Sequence, residues 1–220
     1  MTALRVATWN VHGLRAGVDV VAASVRAEEP DALLLQESGP RRRLSALGAA
    51  LGMEVATDPV VFPRRRIRNA VLVRPPLHLG AHHLLRFRGA SWFAPRGALI
   101  AQVDGLTLVS LHLGLRRAER RDHVRQLLAV IGPDDPAVVI AGDVNAHPDD
   151  PAVAELASAY PDVWSIVGRG PGSTMPAEAP TARIDAIFVG VGIRALDART
   201  AADHSVSDHL MVVADLVIPV

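Results

Sequence analysis

Short runs of apolar residues recur along the chain, and several of them are continuous rather than alternating with polar residues. Continuous apolar runs of strand length are typical of strands that are covered on both faces. Segments with apolar residues at helical spacing lie between them. The pattern therefore predicts an α/β fold with a large share of β structure. The predicted strands are Leu4–Trp9, Ala32–Leu35, Ala70–Val73, Ala98–Val103, Leu106–Leu111, Ala137–Ala141, Ile184–Val189 and Met211–Val217.

The segments between these strands predict the loops, the helices and the number of domains. The stretch after Pro75-Pro76 is expected to be a loop or an edge strand. Residues 168–180 are rich in Gly and Pro and predict a loop, and the segment after it is too short to fold by itself. We therefore expect one domain over residues 1–220. The predicted helices are Val18–Glu28, Leu44–Leu51, Arg116–Ile131 and Pro151–Ser158.

Composition removes whole classes of mechanism. The 220-residue chain has no Cys, which excludes thiol nucleophiles, disulfides and Cys-ligated metals. All 23 basic residues are Arg, so a P-loop lysine and a Schiff-base lysine are excluded as well. A formal net charge of zero weighs against a protein that grips long nucleic acid mainly through its phosphates. It does not weigh against an enzyme that acts on phosphate esters.

The N-terminal sequence and the lengths of the apolar runs bear on location. The first ten residues are typical of a strand and lack the basic and apolar regions of a signal peptide. No apolar run approaches the ~20 residues that a membrane span needs. We expect a cytoplasmic monomer without a membrane span.

Polar side chains interrupt or end the buried apolar runs, where an unpaired polar group would be costly. Most of them fall where a strand gives way to a loop, which is where α/β folds build their sites. They offer hard oxygen and nitrogen donors, a set that suits Mg²⁺ or Mn²⁺. These residues are Asn10, Glu37, His112, Asp143, Asn145, Asp185, Asp208 and His209.

The order of these motifs resembles that of the endonuclease/exonuclease/phosphatase superfamily. That family of metal-dependent phosphoesterases includes DNase I, exonuclease III-type enzymes, sphingomyelinases and inositol-phosphate phosphatases. The resemblance implies a four-layer sandwich of two packed mixed β-sheets flanked by helices, with the site at one edge. The matching segments are Thr-Trp-Asn-Val-His-Gly-Leu (8–14), Leu-Gln-Glu (35–37), Ser-Leu-His-Leu (110–113), Gly-Asp-Val-Asn (142–145), Arg-Ile-Asp-Ala-Ile-Phe-Val (183–189) and Ser-Asp-His (207–209).

The resemblance also implies roles for the metal and the attacking water. Glu37 would bind the metal, with Asn10 and Asp208 as further ligands. Asp143 would orient or deprotonate the water, and Asn145 would hold a phosphate oxygen. Such a reaction needs no covalent intermediate, which agrees with the missing Cys and Lys.

Two histidines complete the implied machinery. His209, oriented by Asp185, would act on the phosphate or as a general acid or base. His112 would be another phosphate or acid–base contact. DNase I-like members pair this second histidine with a Glu before a strand, but Asn69 occupies that place here. The orientation of His112 is therefore open.

Four residues are further candidates for substrate binding, namely Asn69, Thr174, His12 and Arg68. Two basic clusters, Arg41–Arg43 and Arg64–Arg66 with Arg68, could contact phosphate or could be a solvated helix start and a solvated loop. The size of the clusters favours the solvated alternative. Trp92 and Phe93 could stack on a base or lipid group, or could cover the core.

The leading hypothesis is a divalent-metal-dependent hydrolase of phosphate esters, which is a phosphodiesterase, a phosphatase or a nuclease. The alternative is a non-catalytic family member that binds a phosphorylated partner. Among enzymes, a DNA endonuclease and a small-molecule or lipid phosphoesterase both stay open. The expected partner is thus a phosphate-ester substrate, with nucleic acid among the candidates.

Overall fold

Two β-sheets form the centre of the molecule in the computed structural model, which describes residues 2–59, 65–91, 93–132 and 135–218. Within these ranges the strands are β1 (Thr2–Asn10), β2 (Ala32–Gln36), β3 (Glu54–Thr57), β4 (Ala70–Val73), β5 (Leu79–Arg86), β6 (Gly97–Val103), β7 (Leu106–His112), β8 (Val138–Asp143), β9 (Asp185–Val189), β10 (Arg194–Thr200) and β11 (Val212–Ile218). The helices are α1 (Val18–Glu28), α2 (Arg41–Leu51), α3 (Arg117–Ile131), α4 (Pro151–Ala159) and α5 (Val163–Val167).

The two sheets are both mixed. The first sheet has the strand order β10-β11-β1-β2-β4-β3, and the second has the order β5-β6-β7-β8-β9. In the first sheet β1 is parallel to β2, and in the second β7 is parallel to β8. The other neighbouring strands are antiparallel. Strand direction therefore brings several strand ends of each sheet to the same edge.

Three layers of apolar side chains hold the sheets and helices together. The central layer lies between the sheets and includes Leu34 of β2, Leu99 of β6 and Leu108 of β7. A second layer packs α1 and α2 on the outer face of the first sheet. A third packs α3 and α4 on the outer face of the second sheet. The expected four-layer sandwich is confirmed.

The predicted strands agree with the observed ones to within two residues at most ends, whereas β3, β5 and β10 were not predicted as definite strands. All three lie at sheet edges, where the side chains are largely exposed or half-buried. An edge strand does not need a continuous apolar run, so the hydrophobic pattern does not reveal it. The helix α2 begins three residues earlier than predicted, at Arg41.

The helices of the described residues are too short or too polar to cross a bilayer.

Candidate active site

Strand direction gathers the functional residues at one edge of the two sheets. The parallel pairs β1–β2 and β7–β8 end side by side there. β9 and β11 run antiparallel to β8 and β1, so these strands begin at the same edge. In register, Asp143 stands beside His112 on one side and beside Asp185 on the other. Residues that are far apart in the chain thus meet because their strands start or stop together.

Asp143, the last residue of β8, lies at the centre of this group and is only 2% exposed. Its Oδ2 accepts a hydrogen bond from Asn10 Nδ2 at 3.1 Å, which links the two sheets. The same oxygen lies 3.4 Å from His112 Nε2 and 3.9 Å from His209 Nε2. Burial alone would raise the pKa of Asp143, but the hydrogen bond and charge of His112, with His209 and Asn10, hold it below its ordinary value. The carboxylate is therefore ionised near neutral pH.

His209 is fixed by a chain of buried hydrogen bonds. Its Nδ1 lies 2.8 Å from Asp185 Oδ2, and the same oxygen accepts a hydrogen bond from the Thr174 hydroxyl at 2.6 Å. The indole N–H of Trp9 donates to the backbone carbonyl of His209 at 2.8 Å. Ring and backbone are both anchored, so Nε2 is the nitrogen left to face Asp143 and the site.

The charges around His209 favour its protonated form. Burial by itself would lower the pKa of this imidazole, but the hydrogen bond to Asp185 and the charges of Asp185, Asp143 and Asp208 raise it to about 9. Burial raises the pKa of Asp185, which the hydrogen bond from His209 opposes. At 2.8 Å, Nδ1 of a protonated His209 can donate a hydrogen bond to the Asp185 carboxylate.

Glu37 follows β2 on a sharply turned backbone. Its φ is +47°, and its carbonyl accepts a hydrogen bond from the Gly13 amide at 2.8 Å. A Cβ at Gly39 would lie 2.5 Å from the Gly13 carbonyl oxygen, so glycine is required where these two loops meet. The Glu37 side chain is half-buried and makes no hydrogen bond or ion pair with any described residue.

Two adjoining cavities open beside Glu37. The first, which we name the catalytic cavity, has a volume of about 550 Å³ and is lined by His112 and Arg96 among others. The second, which we name the arginine cavity, has a volume of about 390 Å³ and is lined by Arg15, Arg42 and Arg43 among others. Both are lined by Glu37, Gly39, Pro40 and Arg68.

Backbone strain is concentrated at this edge. Non-glycine residues with positive φ include His12 (+43°), Glu37 (+47°), Arg68 (+68°) and Asn145 (+51°). Such conformations cost about 1–3 kcal/mol each and cluster where surrounding contacts hold a functional geometry. For Asn145, the contacts are a hydrogen bond from its backbone N–H to Asp143 Oδ1 at 3.0 Å and one from its side-chain amide to the Leu113 carbonyl at 3.0 Å.

His12 and Asp208 form the more exposed part of the site. His12 Nδ1 lies 3.4 Å from Asp208 Oδ1, and His12 Nε2 lies 2.7 Å from an Arg15 guanidinium nitrogen. The His12 amide donates to Asn10 Oδ1 at 3.1 Å, which orients the Asn10 side chain toward Asp143. Asp208 is thus beside the site, with its carboxylate open to solvent.

Two of the predicted substrate-binding residues, Asn69 and Thr174, are fully buried. The Asn69 amide donates to the backbone carbonyls of Ser110 at 2.6 Å and Gly97 at 3.1 Å, which ties the first sheet to the second beneath His112. Asn69 Oδ1 and His112 Nδ1 are both buried without a hydrogen-bond partner in the described part of the chain. Asn69 and Thr174 therefore support the site from below and line neither cavity.

Arg96 is a site residue that the sequence did not single out. It lines the catalytic cavity and donates from Nε to the Leu113 carbonyl at 3.0 Å. Burial lowers the pKa of its guanidinium, which the charges of Asp143 and Glu37 oppose. Its position directly before β6 could have indicated a place at the site. β6 starts where the antiparallel β7 ends, and β7 ends at His112. Arg64 and Trp92, two rim candidates from the sequence, lie outside the described residues.

Two groups of residues could hold a metal ion. Asp143, Asp185 and His209 place one possible ligand atom each within 4.8 Å of one another. Both nitrogens of that imidazole already face carboxylates, however, and the raised pKa of His209 favours a protonated ring that cannot ligate a metal. The second group is the expected ligand set of Glu37, Asn10 and Asp208. Glu37 offers a carboxylate without a partner among the described residues at the wall of both cavities, which suits a hard cation such as Mg²⁺ or Mn²⁺.

Comparisons with known proteins agree with this architecture. Residues 7–209 match the family model described as the Endonuclease/Exonuclease/phosphatase family. No curated protein matches the chain in sequence.

Three solved structures have the same fold. An endonuclease/exonuclease/phosphatase from Beutenbergia cavernae is 23% identical, with a TM-score of 0.78 over 99% of this chain and 72% of that one. TDP2 of D. rerio, solved with a single-strand DNA product, is 20% identical, with a TM-score of 0.79 over 99% of this chain and 100% of that one. A mannosyl-6-phosphatase from Bacteroides thetaiotaomicron is 17% identical, with a TM-score of 0.82 over 98% of this chain and 100% of that one.

Proposed function

The chain belongs to the endonuclease/exonuclease/phosphatase family, whose members are hydrolases of phosphate esters, and we propose that it is itself a divalent-metal-dependent phosphoesterase. The observation that carries the proposal is the environment of Asp143. This buried, ionised carboxylate meets Asn10, His112 and His209, and His112 in turn lines the catalytic cavity. A binding module would have no need to keep a carboxylate of depressed pKa between two imidazoles.

Asp143 is the residue that we assign to the attacking water. Its Oδ1 is held by the Asn145 amide and its Oδ2 by Asn10, so the carboxylate cannot rotate freely. An ionised carboxylate in a fixed orientation can accept a proton from water as the water attacks phosphorus. The depressed pKa of Asp143 makes it a modest base, and its main contribution is then to position the water.

His209 is assigned to the phosphate. As an imidazolium it donates an N–H from Nε2 toward the negative charge that grows on the phosphoryl oxygens. Asp185 and Thr174 do not touch the substrate but keep the ring in place through Nδ1. They are positioning residues, since they act through His209.

His112, Asn145 and Arg96 complete the polar surroundings of the phosphate. His112 is close to Asp143, and Arg96 lines the same cavity as His112. We propose that His112 and Asn145 hold phosphate oxygens, and that Arg96 neutralises charge on the substrate. Together they supply donors on several sides of one tetrahedral centre, as in-line attack requires.

Glu37 fits the role of metal ligand because its carboxylate is free among the described residues and half-exposed at the cavity wall. We propose that it holds Mg²⁺ or Mn²⁺, with Asn10 and Asp208 contributing oxygen atoms. A divalent ion bound there would supply Lewis-acid stabilisation of the phosphoryl oxygens. The chain's own part is to present Glu37 on a strained turn that loops and glycines hold rigidly.

The nature of the ester is left open by the relatives. Proteins of this fold include one solved with a single-strand DNA product and one named for mannosyl-6-phosphate. A nucleic acid and a small phosphate ester are therefore both candidates for this chain.

The decisive experiment measures hydrolysis of nucleic acids, phospholipids, nucleotides and sugar phosphates with Mg²⁺ or Mn²⁺. We expect turnover of at least one ester, and a loss of about 10²–10⁴-fold in kcat for Asp143→Asn. The matched control is Asp122→Asn, an exposed carboxylate on α3. No turnover of any ester, together with no effect of Glu37→Ala on Mg²⁺ binding, would favour a non-catalytic binding module instead.

A further inference from the structure

The arginine cavity is a strongly charged surface whose arginines have no role in the proposed reaction. Its wall is formed by the loop after β1 and by the start of α2. Four exposed arginines line it, namely Arg15, Arg42, Arg43 and Arg68. Among the described residues that line it, Glu37 is the one carboxylate, and that group is assigned to the metal. With a divalent ion on Glu37, the wall of this cavity carries a large positive excess.

None of these four arginines forms an ion pair with a residue of the described chain. Arg43 donates to the Leu14 carbonyl at 3.2 Å, and Arg15 contacts His12 at 2.7 Å. Neither partner is a carboxylate, so neither contact neutralises the charge of the guanidinium. Other arginines of the chain differ: Arg66 and Arg120, for example, are each paired with an Asp at 2.7 Å. Four arginines without an ion pair in the described chain thus line one cavity beside the site.

The start of α2 adds to this positive charge. Three consecutive arginines, Arg41–Arg43, occupy the first turn, which contains no acidic residue, and Pro40 at the N-cap has no side-chain acceptor. Helices normally place acidic residues there, because the free N–H groups and the macrodipole make this end positive. The reverse arrangement destabilises the helix until an anion binds near it. The charge pattern of α2 is thus the pattern of an anion site.

Building on the phosphoesterase function proposed above, we propose that the arginine cavity binds a second phosphate group of the substrate. This group lies next to the ester that is cleaved, because Glu37 and Arg68 line both cavities. Guanidinium groups match phosphate oxygens in planar, two-pronged hydrogen bonds, which makes phosphate the fitting anion. The substrate class is then a phosphate ester that carries a further phosphate, either on a small molecule or as the next phosphate of a nucleic acid strand.

A kinetic comparison of matched substrates tests this inference. One pair is the p-nitrophenyl ester of thymidine 5′-phosphate with and without a 3′-phosphate. The other is glucose 1,6-bisphosphate and glucose 6-phosphate. We expect the enzyme to prefer the doubly phosphorylated member of one pair by about 10-fold or more in kcat/KM, since one charged contact is worth at least that factor. The preferred pair identifies the source of the second phosphate.

The variant Arg42→Gln isolates the cavity, because Arg42 is exposed and lines only the arginine cavity. We expect it to reduce the preference for the second phosphate by about 10-fold. Arg121→Gln removes the same charge from an exposed position on α3, which packs on the other sheet, and keeps the preference. An equal preference in Arg42→Gln and Arg121→Gln would overturn the inference, as would the absence of any preference in the unmodified protein.

Calorimetric titration with inorganic pyrophosphate, without metal, separates this inference from the proposed function. The unmodified protein and Arg121→Gln are expected to bind pyrophosphate, and Arg42→Gln to bind it about 10-fold more weakly. If no ester is hydrolysed, the proposed function fails while this titration still decides whether the cavity binds anions. A lack of pyrophosphate binding, or identical binding by both variants, rules the anion site out.

Discussion

His209 Nδ1 lies 2.8 Å from Asp185 Oδ2, although the two residues reach the site from different sheets. Asp185 begins β9 of the second sheet, and His209 precedes β11 of the first. Their contact therefore ties the two sheets together at the active edge. It also fixes which imidazole nitrogen faces the phosphate, a condition for any acid–base or electrostatic role of His209.

Replacement of Asp185 by Asn should impair catalysis. The Asn side chain keeps the size of Asp185 but removes the charge that holds the imidazolium. We expect kcat to fall by about 10²–10⁴-fold, the usual scale for an acid–base group and the same as for His209→Ala. Steady-state kinetics with the best ester from the panel measures this. A loss below about 10-fold in both variants would mean that the pair is structural.

The pH profile should report the raised pKa of His209. The folded-state pKa of about 9 exceeds the ordinary 6.5, so the imidazolium persists at neutral pH and is lost as the pH rises through about 9. We therefore expect kcat to decline above about pH 9. The same ion pair stabilises the fold fully below about pH 6.5, and this contribution disappears as the pH rises through 9.

Asp185→Asn removes the charge that raises this pKa, so its residual activity should decline at a lower pH than that of the unmodified enzyme. The measurement is kcat against pH between 5 and about 10.5 for both proteins. If kcat declined at the same high pH in the unmodified enzyme and in Asp185→Asn, the decline would report the titration of a group other than His209.

Glu37→Gln should weaken metal binding. The substitution keeps the shape of the side chain and removes the negative charge that attracts a hard cation. We expect the Mg²⁺ concentration for half-maximal activity to rise by about 10-fold or more. Glu29→Gln is the matched control, because Glu29 is an exposed glutamate with a similarly positive φ of +49°. Equal metal requirements in the two variants would contradict the assignment of Glu37.

Asp58 is a stability determinant of the cavity rim. It is fully buried and accepts hydrogen bonds from Arg66 at 2.7 Å and from the Ile67 amide at 2.9 Å. Removing one partner of a buried pair leaves the other uncompensated, so Asp58→Ala should lower the free energy of unfolding by about 3–5 kcal/mol. Urea denaturation measures this, and the exposed Asp122→Ala should stay within about 0.5 kcal/mol of the parent. A similarly small change in Asp58→Ala would show that Arg66 finds water instead.

The hydrophobic pattern predicted the buried strands well, including the buried edge strand β9, but not the more exposed edge strands β3, β5 and β10. β4, for example, was predicted residue for residue as Ala70–Val73, because it lies between two neighbours and is fully buried. The edge strand β10 was not predicted, because six of its seven residues are exposed or half-buried and its sequence has no continuous apolar run. For a strand, burial on both faces is what makes the sequence informative.

The sequence by itself determined which residue types form the site and that they lie at strand ends. A polar group at the end of a buried apolar run is costly unless it is hydrogen-bonded or has a function. Only the tertiary structure decided which groups meet. Asn10 and Asp143 are 133 positions apart and touch because their strands face each other in different sheets. Asn69 and Thr174 became buried supports, and Arg42 and Arg43 became the wall of a cavity. Which side chains become buried and which line a cavity depends on how one sheet packs on the other. A pattern of neighbouring residues in the sequence contains no information about that packing.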